Sequence, residues 1–313
     1  MPSNASDNAS GNVSKVATRV PGRLGQLSYR AKQLVVHPLE DWTRRLIERS
    51  PDEAINQIEI RAVGLRRTGN HAVLNWIVSQ QAGEVFHLNN VAAGQNPYRY
   101  KCENLRRYHP EHSKMAEVYR RQSMGDFIAR DCLVYSYEDW SLAQVTHQRF
   151  ERNRVLYVGK SQQRFDVLIL RDPFNLFASR LKQGFVATKA PGASMVDLWL
   201  ESAKEFVGES CCLGEDLVRV NYNRWFAEED YRRQLADQLG MTFSDAGLDK
   251  VTGFGGGSSF DGIGVSGRSL DVTNRWRAFV DHPAFLACFE NDEIWAYSEQ
   301  IFGHLPGTES LRA

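Results

Sequence analysis

The hydrophobic positions of this chain fall into short dense runs separated by longer stretches with a helical repeat. "IEIRAVGL" (58–65) is the first run of strand length. "EVFHL" (84–88), "CLVYSY" (132–137), "DVLILR" (166–171) and "LVRVNY" (217–222) follow, rich in β-branched and aromatic residues. After the first run, "NHAVLNWIVSQQAG" sets Val73, Leu74, Trp76 and Ile77 on one helical face and stops at Gly83. After the fifth, "EEDYRRQLADQLG" reads as a helix ending at Gly240. Strands alternating with helices predict an α/β fold with a mostly parallel central sheet flanked on both faces by helices.

The flanks read differently. Residues 1–25 are small and polar, so they cannot bury a core and are expected to form a disordered tail; they also lack the apolar segment of a secretory signal. Residues 26–50 mix Leu27, Leu34, Val35 and Val36 with Arg30 and Lys32, and Pro38 interrupts them. They read as a helical hairpin or arm packed on the body, with a membrane-surface helix as the sharper alternative. Residues 51–313 make the main domain, which carries one low-complexity stretch, "GFGGGSSFDGIGVSG" (253–267).

Composition narrows the function classes. The 38 basic and 38 acidic residues cancel, so no global field recruits nucleic acid or an anionic membrane, although weak peripheral contact stays open. No window approaches the roughly 18 apolar residues of a membrane span. Five cysteines without a C-x-x-C pair argue against a disulfide framework, and a reducing cytoplasm is the expected setting.

The candidate chemistry begins in "GLRRTGNH" (64–71), the loop between the first strand and its helix. Gly64 and Gly69 occupy the two glycine positions of a phosphate-binding G-x-x-x-x-G-K-[ST] loop, but Asn70 stands in place of the lysine and His71 in place of the Mg²⁺-holding hydroxyl. Backbone N–H groups and the helix dipole still make such a loop an anion site, and Arg66 and Arg67 add two permanent charges. A second candidate lies at "LILRDPFNLFASRLKQG" (168–184). There a strand ends on Arg171, Asp172 and Pro173 start a helix, and the Ser179 hydroxyl lies two turns in. Arg171 and Ser179 could both reach one phosphate.

Together the two elements resemble the sulfotransferases that use 3′-phosphoadenosine 5′-phosphosulfate. Their 5′-phosphosulfate loop, approximately P-[KR]-[ST]-G-T-T, corresponds to Arg66-Arg67-Thr68-Gly69-Asn70-His71. Their 3′-phosphate motif, an Arg followed eight residues later by a Ser, corresponds to "RDPFNLFAS" from Arg171 to Ser179. "VRVNYNRW" and "RQLADQLGM" are similar to a later strand and helix, and "SGRSLDVTNRWRAF" to a C-terminal segment, placing Arg268 at the 3′-phosphate. The resemblance covers about residues 58–300 and implies a P-loop NTPase-like sulfotransferase fold with no metal cofactor. The implied reaction moves a sulfuryl group to an acceptor hydroxyl, on a saccharide or glycolipid or on a small phenol or alcohol.

By the same resemblance Arg67 is the cation that stabilises the leaving oxygen, and arginine serves there as an electrostatic clamp because it cannot lose its proton. The base is expected from the region "VYSYEDW" (134–140), as Glu138, with Asp139 and His87 as rivals. "YRYKCENLRRYHPEHSKMAEVYRR" (98–121) reads as a solvated helical insertion or as a lid over the acceptor, and its "HPEH" lacks further ligands for zinc. The rival functions are a P-loop kinase or NTPase, which wants Lys at 70 and Ser/Thr at 71, and a non-catalytic nucleotide-binding protein.

Overall fold

The computed structural model describes residues 31–47, 53–248 and 272–312. Helix α1 (His37–Ile47) forms the arm, preceded by a π-helical turn at Lys32–Val36. The body then runs β1 (Asn56–Gly64), α2 (Asn70–Ser79), β2 (Val85–Leu88), α3 (Pro97–Tyr108), α4 (Ser113–Ser123), β3 (Arg130–Glu138), α5 (Gln148–Val158) and β4 (Ser161–Leu170). It continues with α6 (Pro173–Lys182), α7 (Met195–Val207), β5 (Leu217–Asn221), α8 (Tyr222–Ala227), α9 (Glu229–Gln238) and α10 (Asp292–Phe302).

The five strands pair in the order β2-β3-β1-β4-β5, and every pairing is parallel. β1 is central: Gly64 at its end lies opposite Glu138 of β3 on one side and Ile169 of β4 on the other. Successive side chains of a strand point to opposite faces, and the core divides accordingly. Ile60, Ala62, Cys132, Val134, Val167 and Ile169 pack under α2 and α9, whereas Val63, Leu133, Tyr135, Tyr137 and Leu168 pack under α3 and α5. Both faces are covered, so the strand cores read as continuous apolar runs. A third cluster joins α6 and α7 to the C-terminal residues, with Phe174 stacked on Phe289.

Three expectations change. β4 begins at Ser161, ahead of the apolar run, because β5 pairs only with Asp166–Leu170 and leaves the polar half of β4 beside β1 alone. Pro38 does not interrupt the arm. The chain stays helical from residue 31 to 47, and the His37 N–H reaches back five residues to Lys32 O, a wider turn just where proline breaks the regular ladder. The 98–121 stretch is more than a solvated insertion: Tyr98 and Tyr119 pack edge-on against Phe86, covering β2 and β3. The tail, the glycine-rich run and Arg268 lie outside the described residues.

Candidate functional site

The site is built where β1, β3 and β4 end. Leaving Gly64, the chain turns through Arg67 (φ 75°) and Gly69 (φ 96°) into α2. Gly69 is required twice, by its left-handed backbone and because a Cβ there would lie 2.0 Å from the Tyr222 ring. A Cβ at Gly64 would lie 2.5 Å from Asn70 Oδ1. Thr68 and Asn70 turn inward: the Thr68 hydroxyl sits 2.7 Å from Leu65 O, and Asn70 Nδ2 donates to Leu65 O at 3.0 Å. These two side chains hold the loop's shape, so an anion would meet backbone N–H groups rather than their polar atoms. No side chain caps the N-terminus of α2, which leaves its dipole directed at the cleft.

The two loop arginines part company. Arg67 turns toward β4 and α6, where its Nε donates to Ser179 Oγ at 3.1 Å. Arg171, at the end of β4, donates to Arg67 O at 3.2 Å and to Val272 O, and its guanidinium lies 5.2 Å from the Tyr222 ring centre. Burial, then the neighbouring Arg171 charge, holds the Arg67 pKa below its ordinary value. Two cations crowded at a helix N-terminus are the arrangement that a multiply charged anion relieves.

Local chemistry fixes this half of the site. Asp172 caps α6 by accepting from Asn175 N at 2.8 Å, and Pro173 occupies its first turn. Asn175 accepts from Arg275 N at 2.8 Å and donates to Thr273 O at 3.0 Å, tying the C-terminal segment to the start of α6.

Arg66 turns the other way. Its N–H donates to Asp139 Oδ1 at 2.9 Å, its Nε lies 3.7 Å from Glu138 Oε2, and its guanidinium stands 5.3 Å from the Phe185 ring centre. Glu138 also meets Asn70 Nδ2 at 3.3 Å and His71 Nε2 at 3.9 Å. Arg66 and His71 therefore sit with Glu138, beside the group formed by Arg67, Arg171 and Ser179, and the Glu138 charge is felt at Arg67.

The rival bases are placed differently. Asp139, itself at φ 62°, is buried against Arg180 Nη1 and serves as a bracket between β3, the loop and α6. His87 Nε2 is sealed from solvent, with no hydrogen-bond partner among the described residues, and burial, aided by His71 and Lys101, lowers its pKa to about 4.

Sequence reasoning missed Arg180, Tyr222 and Lys189. Arg180 is adjacent to Ser179, but its buried pairing with Asp139 depends on how β3 and β4 flank β1. Lys189 N donates to Asp139 O at 2.8 Å, and its Nζ bonds Asn90 and lies 5.3 Å from the Trp140 ring centre. Burial and then Arg66 lower the Lys189 pKa to about 8. No local motif marks it, because the loop after α6 alone brings it back. Tyr100 of α3 is close enough to feel the Arg66 charge, although burial dominates and raises its pKa. His109, Glu111 and His112 lie together in exposed positions, and among the described residues no three or more His, Cys, Asp or Glu converge as metal ligands.

The structure is similar to the sulfotransferase domain of the Synechococcus PCC 7002 olefin synthase, with a TM-score of 0.47 and 14% identity over 82% of this chain and 99% of that one. It is also similar to mouse sulfotransferase SULT7A1, whose structure is complexed with PAP, with a TM-score of 0.34 and 10% identity over 63% of this chain and 62% of that one. No protein-family model and no curated protein sequence matches the chain. Likenesses this distant place no residue and no substrate, which must stand on the side chains. No described helix is long and apolar enough to cross a membrane.

Proposed function

We propose that the protein is a sulfotransferase that moves a sulfuryl group from 3′-phosphoadenosine 5′-phosphosulfate to an acceptor hydroxyl. The observation that carries this reading is the convergence of Arg67, Arg171 and Ser179 beside the N-terminus of α2, in a loop without the lysine and hydroxyl of an MgATP site. The side chains fit the donor: the half-buried Arg67 guanidinium and the buried Arg171 guanidinium, 5′ and 3′ to one nucleotide, would each find an anionic group, and the Tyr222 ring closes the loop beneath Gly69.

In this reading Arg67 faces the bridging oxygen between sulfur and the 5′-phosphate, and Arg171 with Ser179 holds the 3′-phosphate. The acceptor oxygen bonds to sulfur as the bridging S–O bond breaks. Glu138 takes the hydroxyl proton, and the adenosine bisphosphate leaves with its new negative charge against Arg67. Glu138 suits the role better than its rivals because it borders both the loop and the Arg66–His71 side of the cleft, whereas Asp139 is committed to Arg180 and the Nε2 of His87 is sealed from solvent. Calorimetry tests the reading: adenosine 3′,5′-bisphosphate should bind at least ~10-fold tighter than 5′-AMP, near 1.4 kcal/mol. Equal affinities, or tighter binding of MgATP, would sink it.

A further inference from the structure

The arm is an amphipathic helix mounted the wrong way round. Its polar side faces the protein: His37 Nε2 meets Glu103 at 3.1 Å, Asp41 accepts from Arg99 at 2.8 Å and Arg149 at 3.0 Å, and Arg44 donates to Ser123 O at 2.7 Å. Its apolar side faces outward. Val35, Leu39, Trp42 and Leu46 recur at four-, three- and four-residue spacing, one stripe of a helix, and stand 65%, 59%, 59% and 66% exposed, with Leu34 beside them at 77%. Burying these side chains against α3 and α5 would have been the ordinary solution. The structure instead spends buried ion pairs to hold the stripe outward, and a contiguous exposed apolar face of this kind marks an interaction surface.

We propose that this face docks the protein on an anionic lipid surface. Two observations favour a bilayer over a second copy of the chain. From Asn8 to Leu39 the sequence carries Lys15, Arg19, Arg23, Arg30 and Lys32 and no acidic residue, and Arg45 is exposed on the helix itself. That local positive charge stands out in a chain with no net charge, and it complements anionic headgroups rather than a copy of itself. The stripe is also small. The helical residues 31–47 extend about 25 Å, so a face roughly 10 Å wide offers on the order of 250 Å². A stable dimer takes about 800 Å² from each partner. An interfacial helix needs no such area, since its apolar face sinks only into the headgroup boundary, where a tryptophan is well suited. The docked arm would rest on α3, whose Arg99 and Glu103 grip it, while Lys101 donates to Asn89 O at 3.1 Å.

Flotation of the full chain with phosphatidylcholine vesicles, with and without phosphatidylglycerol, tests the proposal and needs no nucleotide, so it succeeds or fails apart from the sulfotransferase reading. The chain should float with the anionic vesicles, weakly with the neutral ones, and less in high salt. A Leu39→Glu/Trp42→Glu variant alters only exposed positions. It should keep the same circular dichroism and thermal midpoint and lose binding by at least ~10-fold. A wild-type chain that ignores anionic vesicles overturns the proposal, as does a variant that floats unchanged. A wild-type dimer in sedimentation that this variant dissolves would give the face to a second copy and overturn it as well.

Discussion

At the scale of single residues, the site turns on where one side chain points. Arg67 lies within hydrogen-bond reach of Ser179 and beside Arg171, and in the proposed reaction it faces the charge that develops on the leaving oxygen. That charge grows only as the bond breaks, so Arg67 should matter more to the transition state than to binding. Arg67→Ala should lower turnover by about 10²-fold or more while weakening bisphosphate binding far less, and Arg67→Lys should recover part of the loss. Steady-state kinetics beside calorimetry separates the two effects; normal turnover with weakened binding would give the catalytic work to another cation. Gly69 makes a second prediction. Gly69→Ala must place a Cβ into the Tyr222 ring at a left-handed backbone, and should lose on the order of 1–3 kcal/mol of stability in urea unfolding.

At the scale of elements, Asp139 couples the end of β3 to the β1 loop and to α6 through the Arg66 amide and the Arg180 guanidinium. Asp139→Asn keeps the size, and asparagine tolerates the left-handed backbone, so the loss isolates the charge. It should cost about 3–5 kcal/mol, because Arg180 stays buried without its partner. A denaturation midpoint close to wild type would show that Arg180 finds another acceptor.

The same scale holds a pH effect in β2 and its covering helix. Burial lowers the His87 pKa from 6.5 to about 4. Between those values the unfolded chain binds a proton that the folded one refuses. This contribution is therefore absent as a cost above about pH 6.5 and grows as pH falls toward 4. His87→Gln should flatten that part of the stability profile. An unchanged slope would assign it to other groups.

At the scale of the molecule, three clusters meet at the cleft: α2 and the sheet on one side, α6 with the C-terminal residues on another, α3 and α5 on the third. Arg171 reaches Val272 and Asn175 reaches Thr273 and Arg275, so the proposed anion site joins the main body to the C-terminal segment. A ligand that binds there should stabilise the whole fold rather than one loop. Adenosine 3′,5′-bisphosphate at 100 times its dissociation constant should add about 2.7 kcal/mol to unfolding. A thermal midpoint unmoved by saturating bisphosphate would separate the cleft from the cooperative unit.

The sequence by itself determined the alternation of strands and helices, the loop after the first strand and the Arg171–Ser179 spacing, because hydrophobic period, caps and glycine positions are local properties. It could also show that Asn70 and His71 replace the residues that handle MgATP. What it could not show is which loop arginine turns to Ser179 and which to Glu138. Arg67 and Ser179 are 112 positions apart and Asp139 and Arg180 are 41 apart, and their meeting depends on β1 lying between β3 and β4, a strand order that no local pattern encodes. Lys189 was hidden because it is the loop after α6 that carries it back to Asp139. The arm shows the limit most plainly: its amphipathic pattern is readable, but the direction it faces is not. Patterning predicts an apolar side turned inward; here the ion pairs of Asp41 and the bond from Arg44 turn it out, and only the tertiary structure records that choice.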